Sequence, residues 1–518
     1  GSHNVAVGVN ALDANTTGSH NTAVGTNSLT ASTTGTLNTA VGQDALANNT
    51  TASNNTAIGK SALKANTTGS NNVAVGLQAL ESNVVNAFNV AVGYHALKAH
   101  TANAVTAVGY EALASSQTAT QVTAVGFQAL KDYIGNGFNT AVGYQALDDC
   151  TTGTMNVAVG DGVLSAITTA SSNTGMGHFA LNANTASNNS AFGRNCLRSN
   201  TSGSNNSAFG ATALAANTTG TSNVAVGANA LDASTTASNN TAVGYEALTT
   251  NTNGHSNTAV GRTALLSNTS GTLNVAVGTD AARSNTTGTS ITAIGGQALY
   301  SNTTSDNNTA IGRAALYHSN GGSDNTAVGM SALLKNTTGT NNVAVGAFSL
   351  DANTTGNANS AFGQNSLTAN TTGYNNVGLG QQALRQNTQG FENVSVGRAS
   401  MEENTTGDNN VAVGNKALQK NTTADDNTAV GNFALNQNTT GTSNVAVGTN
   451  ALDANTTGSF NTATGMHALG GNQTSNSNSA LGYAALFTNT IGQFNVAVGT
   501  NALGDNTTAS NNTAVGHF

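Results

Sequence analysis

Apolar and polar positions follow one another along this chain in a block that is rewritten every 17 residues. In its commonest form the block reads Asn-(Thr/Val)-Ala-Val-Gly-x-x-Ala-Leu-x-Ala-Asn-Thr-Thr-Gly-x-x, as from Asn4 to His20. Its first glycine recurs 31 times, from Gly8 to Gly516, and the step shortens to 16 only between Gly93 and Gly109 and between Gly177 and Gly193. A strict period this short implies one supersecondary unit stacked on copies of itself. The alternation leading into that glycine has the period of a short strand. The expected fold is therefore all-β: a parallel β-solenoid of about 31 coils, running as one array over residues 1–518. Each coil should advance by the spacing of paired strands, about 4.8 Å.

Counting from this glycine as position zero turns the repeat into a cross-section. Position −4 is Asn in 28 of 31 copies, and its replacements are Val105, Val122 and Ile291. Apolar replacements mark an inward position, where a buried amide needs partners that only the coils above and below can supply. An asparagine ladder is expected, beginning Asn4, Asn21, Asn38, Asn55, Asn72. Position −2 is Ala with few exceptions (Gly175, Gly378, Ser395) and shares the inward face, because side chains alternate along a strand. Position +4 is Leu in 28 of 30 copies, with Ala282 and Met401 the exceptions. The column Leu12, Leu29, Leu46, Leu63, Leu80 should fill the core and give a second strand or bent segment something to pack on. The glycines themselves (Gly8, Gly25, Gly42, Gly59, Gly76) should end the strand and let the chain turn.

Positions −3 and −1 then face outward. Position −1 is Val, Ile, Phe, Leu or Met nearly throughout, with Thr464 the clear exception. A continuous outward apolar stripe is not left in water, so further copies of the chain are the expected partner, in a rod of several chains.

The Asn-Thr-Thr-Gly segment at +7 to +10 reads as a turn in which Asn and Gly accept positive φ. It is also an N-x-[ST] acceptor pattern, which makes Asn15, Asn66, Asn217, Asn336 and Asn353 candidate glycosylation sites. The same triplet is what an unmodified loop prefers.

Composition agrees with a stacked array. Charged residues make up only 7% of the chain, 60 residues are Gly and there is no Pro. Each coil must donate backbone hydrogen bonds to its neighbours, which proline cannot do. The net charge of −8 is weak for 518 residues, and the 14 basic residues are scattered, so no stripe exists to neutralise nucleic-acid phosphates. No apolar run is long enough to span a membrane. Without an initiator Met, and opening and closing in mid-repeat, the chain reads as part of a longer protein. Cys150 and Cys196 stand at different points of the repeat, which argues against a disulfide.

Candidate chemistry is sparse. The nine His residues fall at mixed positions, and no catalytic set, metal-ligand spacing or phosphate loop emerges. No enzyme, cofactor or metal is expected. Departures from the consensus gather between Glu81 and Ser172. Their loops are Asn83-Val84-Val85-Asn86, His100-Thr101-Ala102-Asn103, Ser115-Ser116-Gln117-Thr118 and Asp132-Tyr133-Ile134-Gly135. This is either drift among degenerate repeats or a local patch that binds something. In it Tyr94, Tyr110, Phe127 and Tyr144 share position +1 and would line one edge as a sugar-stacking strip.

The segment Val-Ala-Val-Gly-x-x-Ala-Leu, at Val73–Leu80 and Val445–Leu452, resembles the head repeats of YadA-like trimeric autotransporter adhesins, which read Ser-Val-Ala-Ile-Gly-x-x-Ala. Similar repeats occur in phage tail-fibre proteins. The resemblance covers essentially the whole chain. It departs in period, because the loop after Leu makes this repeat longer than the family's. It implies a parallel β-roll of three chains, a homotrimer, at the cell surface or on a virion, with a host-surface or glycan ligand. The expected function is thus an extracellular structural fibre, stalk or adhesive filament. The alternatives are a glycan- or ice-binding solenoid module, or a tail-fibre shaft.

Overall fold

The computed structural model describes residues 1–518. It holds 31 strands of three residues each and no helix. Every strand occupies positions −3 to −1 of one repeat, so the chain folds as an all-β solenoid with one parallel strand per coil. Two compact units divide it, Gly1–Ser256 and Asn257–Phe518. The first runs from β1 (Val5–Val7) to β15 (Thr241–Val243), the second from β16 (Thr258–Val260) to β31 (Thr513–Val515).

Within each unit, like positions sit over like. Val5 pairs with Thr22, Ala6 with Ala23 and Val7 with Val24; in the second unit Val496 pairs with Thr513. The register survives the 16-residue steps, where Val90 still faces Thr106 and Thr174 faces Ser190. The missing residue comes from the loop. The Ala102 carbonyl takes the bond from Asn89 Nδ2, at 2.9 Å, that the +10 Gly accepts in full-length coils.

No second strand forms. After the glycine the chain turns tightly on itself, with Ala11 N donating to Gly8 O at 3.3 Å and Asn15 N to Leu12 O at 3.3 Å. The turn is nonetheless zipped to its neighbours like the strand. Leu12 N bonds Ser28 O at 3.0 Å, Ala14 N bonds Thr30 O at 3.1 Å and Thr16 N bonds Thr33 O at 3.0 Å. Positions −5, 0 and +2 donate in the other direction, as when Gly25 N bonds Val7 O at 2.7 Å and Asn27 N bonds Val9 O at 2.9 Å. Backbone groups all round the coil thus find partners, as a closely stacked chain requires.

This path corrects the expected place of positive φ. Neither Asn15 nor Gly18 of the Asn-Thr-Thr-Gly segment has it. It falls instead on the residue before the ladder asparagine (His20, 59°), on position +2 (Asn27, 58°) and on the core leucine itself (Leu29, 51°). A left-handed Leu costs about 1–2 kcal/mol. Full burial of that side chain returns roughly 1.5–3 kcal/mol, and its amide gains the bond to the next coil. The position-zero glycines take φ between 124° and 142°, a region closed to side chains. A Cβ on Gly25 would also lie 2.6 Å from Gly42 O.

The interior is small and fully packed. Away from the terminal coils, Ala23, Leu29, Asn21 and their equivalents at −2, +4 and −4 are buried, as is the Ala at +3; in the first coil Asn4 and Leu12 are only half-buried and Ala6 is exposed. Equivalent side chains lie almost directly over one another. The ring centroids of Tyr300 and Tyr317, Tyr374 and Phe391, and Phe192 and Phe209 are 4.9, 4.9 and 4.8 Å apart, close to the spacing of paired strands itself.

Candidate interaction surface

Two asparagine ladders hold the surface in place. At −4, Oδ1 accepts the backbone N–H of the next ladder residue, as Asn38 N donates to Asn21 Oδ1 at 3.0 Å. The amide nitrogen crosses the coil to the carbonyl at +10, as Asn21 Nδ2 donates to Gly35 O at 2.8 Å. Asn4, Asn55 and Asn72 make the same cross-coil bond. This accounts for two of the three apolar replacements; Val122 follows Val105, which offers no amide oxygen. Val105 and Ile291 still donate their own N–H to the asparagine before them, each at 3.1 Å, and forfeit only the side-chain bonds.

The second ladder is at +7, where the repeat pointed to an exposed turn. Asn66 Nδ2 donates to Asn49 Oδ1 at 2.9 Å and to Gly69 O at 3.0 Å. Asn353 does the same with Asn336 Oδ1 at 2.8 Å and Gly356 O at 3.0 Å. Asn66, Asn217, Asn336 and Asn353 are fully buried, and Asn15, at the first coil, is half-buried with Nδ2 bonded to Gly18 O. The turn reading of these residues is corrected accordingly. A sugar on any of the four buried amides would have to displace a ladder bond and the coil next to it. The threonine at +8 is likewise engaged, since Thr16 Oγ1 donates to Thr33 O at 3.0 Å, so this hydroxyl spends its one donor within the stack and offers only acceptor positions outward. The missed signal lies in the replacements. His100, Tyr133, Cys150 and Ile167 stand in the +7 column, and all are buried.

Where serine interrupts the +7 ladder, an acceptor is left over. Asn302 Oδ1 has no partner because the next coil offers Ser319, whose hydroxyl reaches only Gly322 O, at 3.4 Å. Ser319→Asn should supply an amide to Asn302 and an acceptor to Asn336. We expect a gain of about 1–2 kcal/mol at roughly 1 kcal/mol per bond, read as slower amide exchange around Leu316–Gly339.

The cysteines are free and buried. Burial pushes the Cys150 thiol up to about 11 and the Cys196 thiol up to about 12, so both are inert thiols that fill a ladder site and an alanine site. Burial also drives His100 down to about 4. No three His, Cys, Asp or Glu side chains converge as a metal group, and no helix is long and apolar enough to cross a membrane.

What the coils present outward is columnar. Position −1 is a half-exposed apolar column in both units, with Phe209 at 41% and Val226 at 36% in the first and Leu379 at 47% in the second. Position −3, with Thr, Val or Ser, lies beside it on the same face of the strand. Position +1 carries the aromatic run Tyr94, Tyr110, Phe127 and Tyr144, half-exposed and stacked ring on ring. Position +2 carries a polar column with side-chain bonds between coils, as from Asn10 to Asn27 and from Asn27 to Asp44, both 3.1 Å. Comparison with protein-family models and with curated proteins found no match to the chain.

Proposed function

We propose that the chain is a non-catalytic structural segment of an extracellular fibre, stalk or adhesive filament, assembled with further copies of itself as a homotrimer. The observation that carries this reading is the −1 column. It places an apolar side chain on the same outer face in nearly every coil, at a spacing that only another array of the same period matches along its length. Burying about 25 cal/mol per Å² of apolar surface over many coils yields a stable assembly even though each coil contributes little. The interior columns support a mechanical role, because they repeat without a specialised residue set.

Mass in solution tests the reading. Light scattering should give about three times the 51.2 kDa chain mass. The combined variant Val226→Lys, Val277→Lys and Val413→Lys should fall to the chain mass with its β-sheet circular dichroism intact, since these side chains are outward. A wild-type chain that stays at 51.2 kDa at micromolar concentration would sink the assembly.

A further inference from the structure

The aromatic run at +1 is not explained by a purely structural role. Stacked rings in neighbouring coils occur elsewhere only as pairs, such as Phe192 with Phe209 and Tyr374 with Phe391. Tyr94, Tyr110, Phe127 and Tyr144 form an unbroken stack of four, with centroids 4.9, 5.1 and 5.1 Å apart and planes turned by 7°, 10° and 7°. Each covers its neighbour's face, so the exposure of 38–51% that remains is mostly ring edge and, for the tyrosines, hydroxyl. Ring edges carry the positive end of the aromatic quadrupole. The partner that suits them is rich in oxygen.

A polar column runs alongside. His95 Nε2 lies 2.7 Å from Gln78 Oε1, Gln128 Nε2 donates to Glu111 Oε2 at 3.0 Å, and Gln145 Nε2 donates to Gln128 Oε1 at 3.2 Å. The two columns touch where the rings of Tyr94 and His95 stack at 3.7 Å. These bonds fix the side chains before any partner arrives, which lowers the ordering cost of binding. Each amide retains a further donor and acceptor position.

The period then selects the partner. A peptide strand advances about 3.3 Å per residue and falls out of step with this column within two coils. An extended β-1,4-linked pyranose chain advances per sugar by close to the ring spacing found here, and the small sideways offset between successive rings, whose centroids are 4.9–5.1 Å apart, lets an extended chain stay in step over the four coils. We propose that this edge of the first unit is a binding strip for an extended β-1,4-linked glycan lying along the column, one sugar to a coil. The tyrosine hydroxyls and the Gln–His–Glu column meet the sugar hydroxyls. The site spans at least four coils, so affinity rises with oligosaccharide length up to about four sugars.

Titration calorimetry on the intact chain tests this with cellohexaose and chitohexaose as probes and maltohexaose, whose α-1,4 chain curls, as the contrast. At least one β-1,4 hexamer should bind, at least tenfold more tightly than its dimer and than maltohexaose. Tyr94→Ser/Tyr110→Ser/Tyr144→Ser should lose that binding at least tenfold, while Tyr300→Ser/Tyr317→Ser, at a stacked pair outside the strip, should leave it unchanged. Tyr94→Phe/Tyr110→Phe/Tyr144→Phe keeps the stack and removes only hydroxyls, so it holds the test open should the serine variant melt early; it should weaken binding severalfold. Absence of binding by either β-1,4 hexamer, equal binding of maltohexaose, or unchanged affinity in the phenylalanine variant would each overturn the proposal. None of these outcomes depends on how many chains assemble.

Discussion

Gly346→Ala should open the coils on either side of it and leave distant coils closed. The backbone there has φ +132°, and a Cβ would meet the Gly363 carbonyl carbon at 2.6 Å and its oxygen at 2.7 Å. Strain of that kind costs about 1–3 kcal/mol by itself, and the contact is with backbone that the next glycine holds in the same conformation. A total above about 3 kcal/mol is expected, in the range reserved for strained special positions. Because solenoid stability sums nearest-neighbour terms, the loss should appear in hydrogen exchange as fast amides over about two coils around Val343–Phe362. Gly356→Ala is the control. A Cβ there would also press on Gly373 O at 2.3 Å and Asn353 Oδ1 at 2.5 Å, but its φ is not positive and sister coils carry Ala52, Ala237 and Ala424 at this position, all buried, so the stack yields to a methyl group here and the cost should be well below that of Gly346→Ala. Equal exchange in the two variants would refute the special status of position zero.

Asn342→Asp changes no volume, yet it should be the most pH-sensitive substitution in the second unit. Asn342 Nδ2 donates to Gly356 O at 2.8 Å, and its Oδ1 accepts from Asn359 N at 3.0 Å and Asn359 Nδ2 at 3.2 Å. A carboxylate keeps the acceptor but sets a second oxygen against the Gly356 carbonyl, buried and without a cation. An uncompensated buried charge costs about 3–5 kcal/mol. The sign with pH follows from burial, which raises the folded-state pKa of the new carboxyl above its unfolded value. The protonated acid can donate to Gly356 O, so the variant should approach wild-type stability below about pH 3.9, the unfolded value, and lose it as pH rises through the folded value. Melting curves at pH 3 and pH 7 check this. A variant equally stable at both would mean that the ladder amide is not needed.

These two substitutions mark what the repeat discloses and what it hides. Position −4 was legible as inward because Val and Ile replace Asn there, and position zero because nothing ever replaces Gly. The +7 ladder was equally legible in its Cys, Tyr and Ile replacements, but the Thr-Thr-Gly context mimics a surface turn and outweighed them. The left-handed leucines were not legible, since Leu has no intrinsic preference for that region and is held there only by the core and by bonds to the next coil. The aromatic stack was visible as a column. Its face-to-face geometry, which turns ring edges rather than faces outward, depends on equivalent side chains lying over one another in successive coils, and no single repeat encodes that.

The distribution of backbone bonds round the coil has a consequence under load. Strand and turn alike bond along the stacking direction, so a chain pulled by its ends loads the bonds of a coil one after another, from the point where it leaves the stack. Coils should peel off singly and at low force. Each such step releases one repeat of 17 residues, or about 55–60 Å of contour at roughly 3.3–3.6 Å per residue. Single-molecule extension should therefore show an even sawtooth, with slightly shorter teeth where a 16-residue coil gives way.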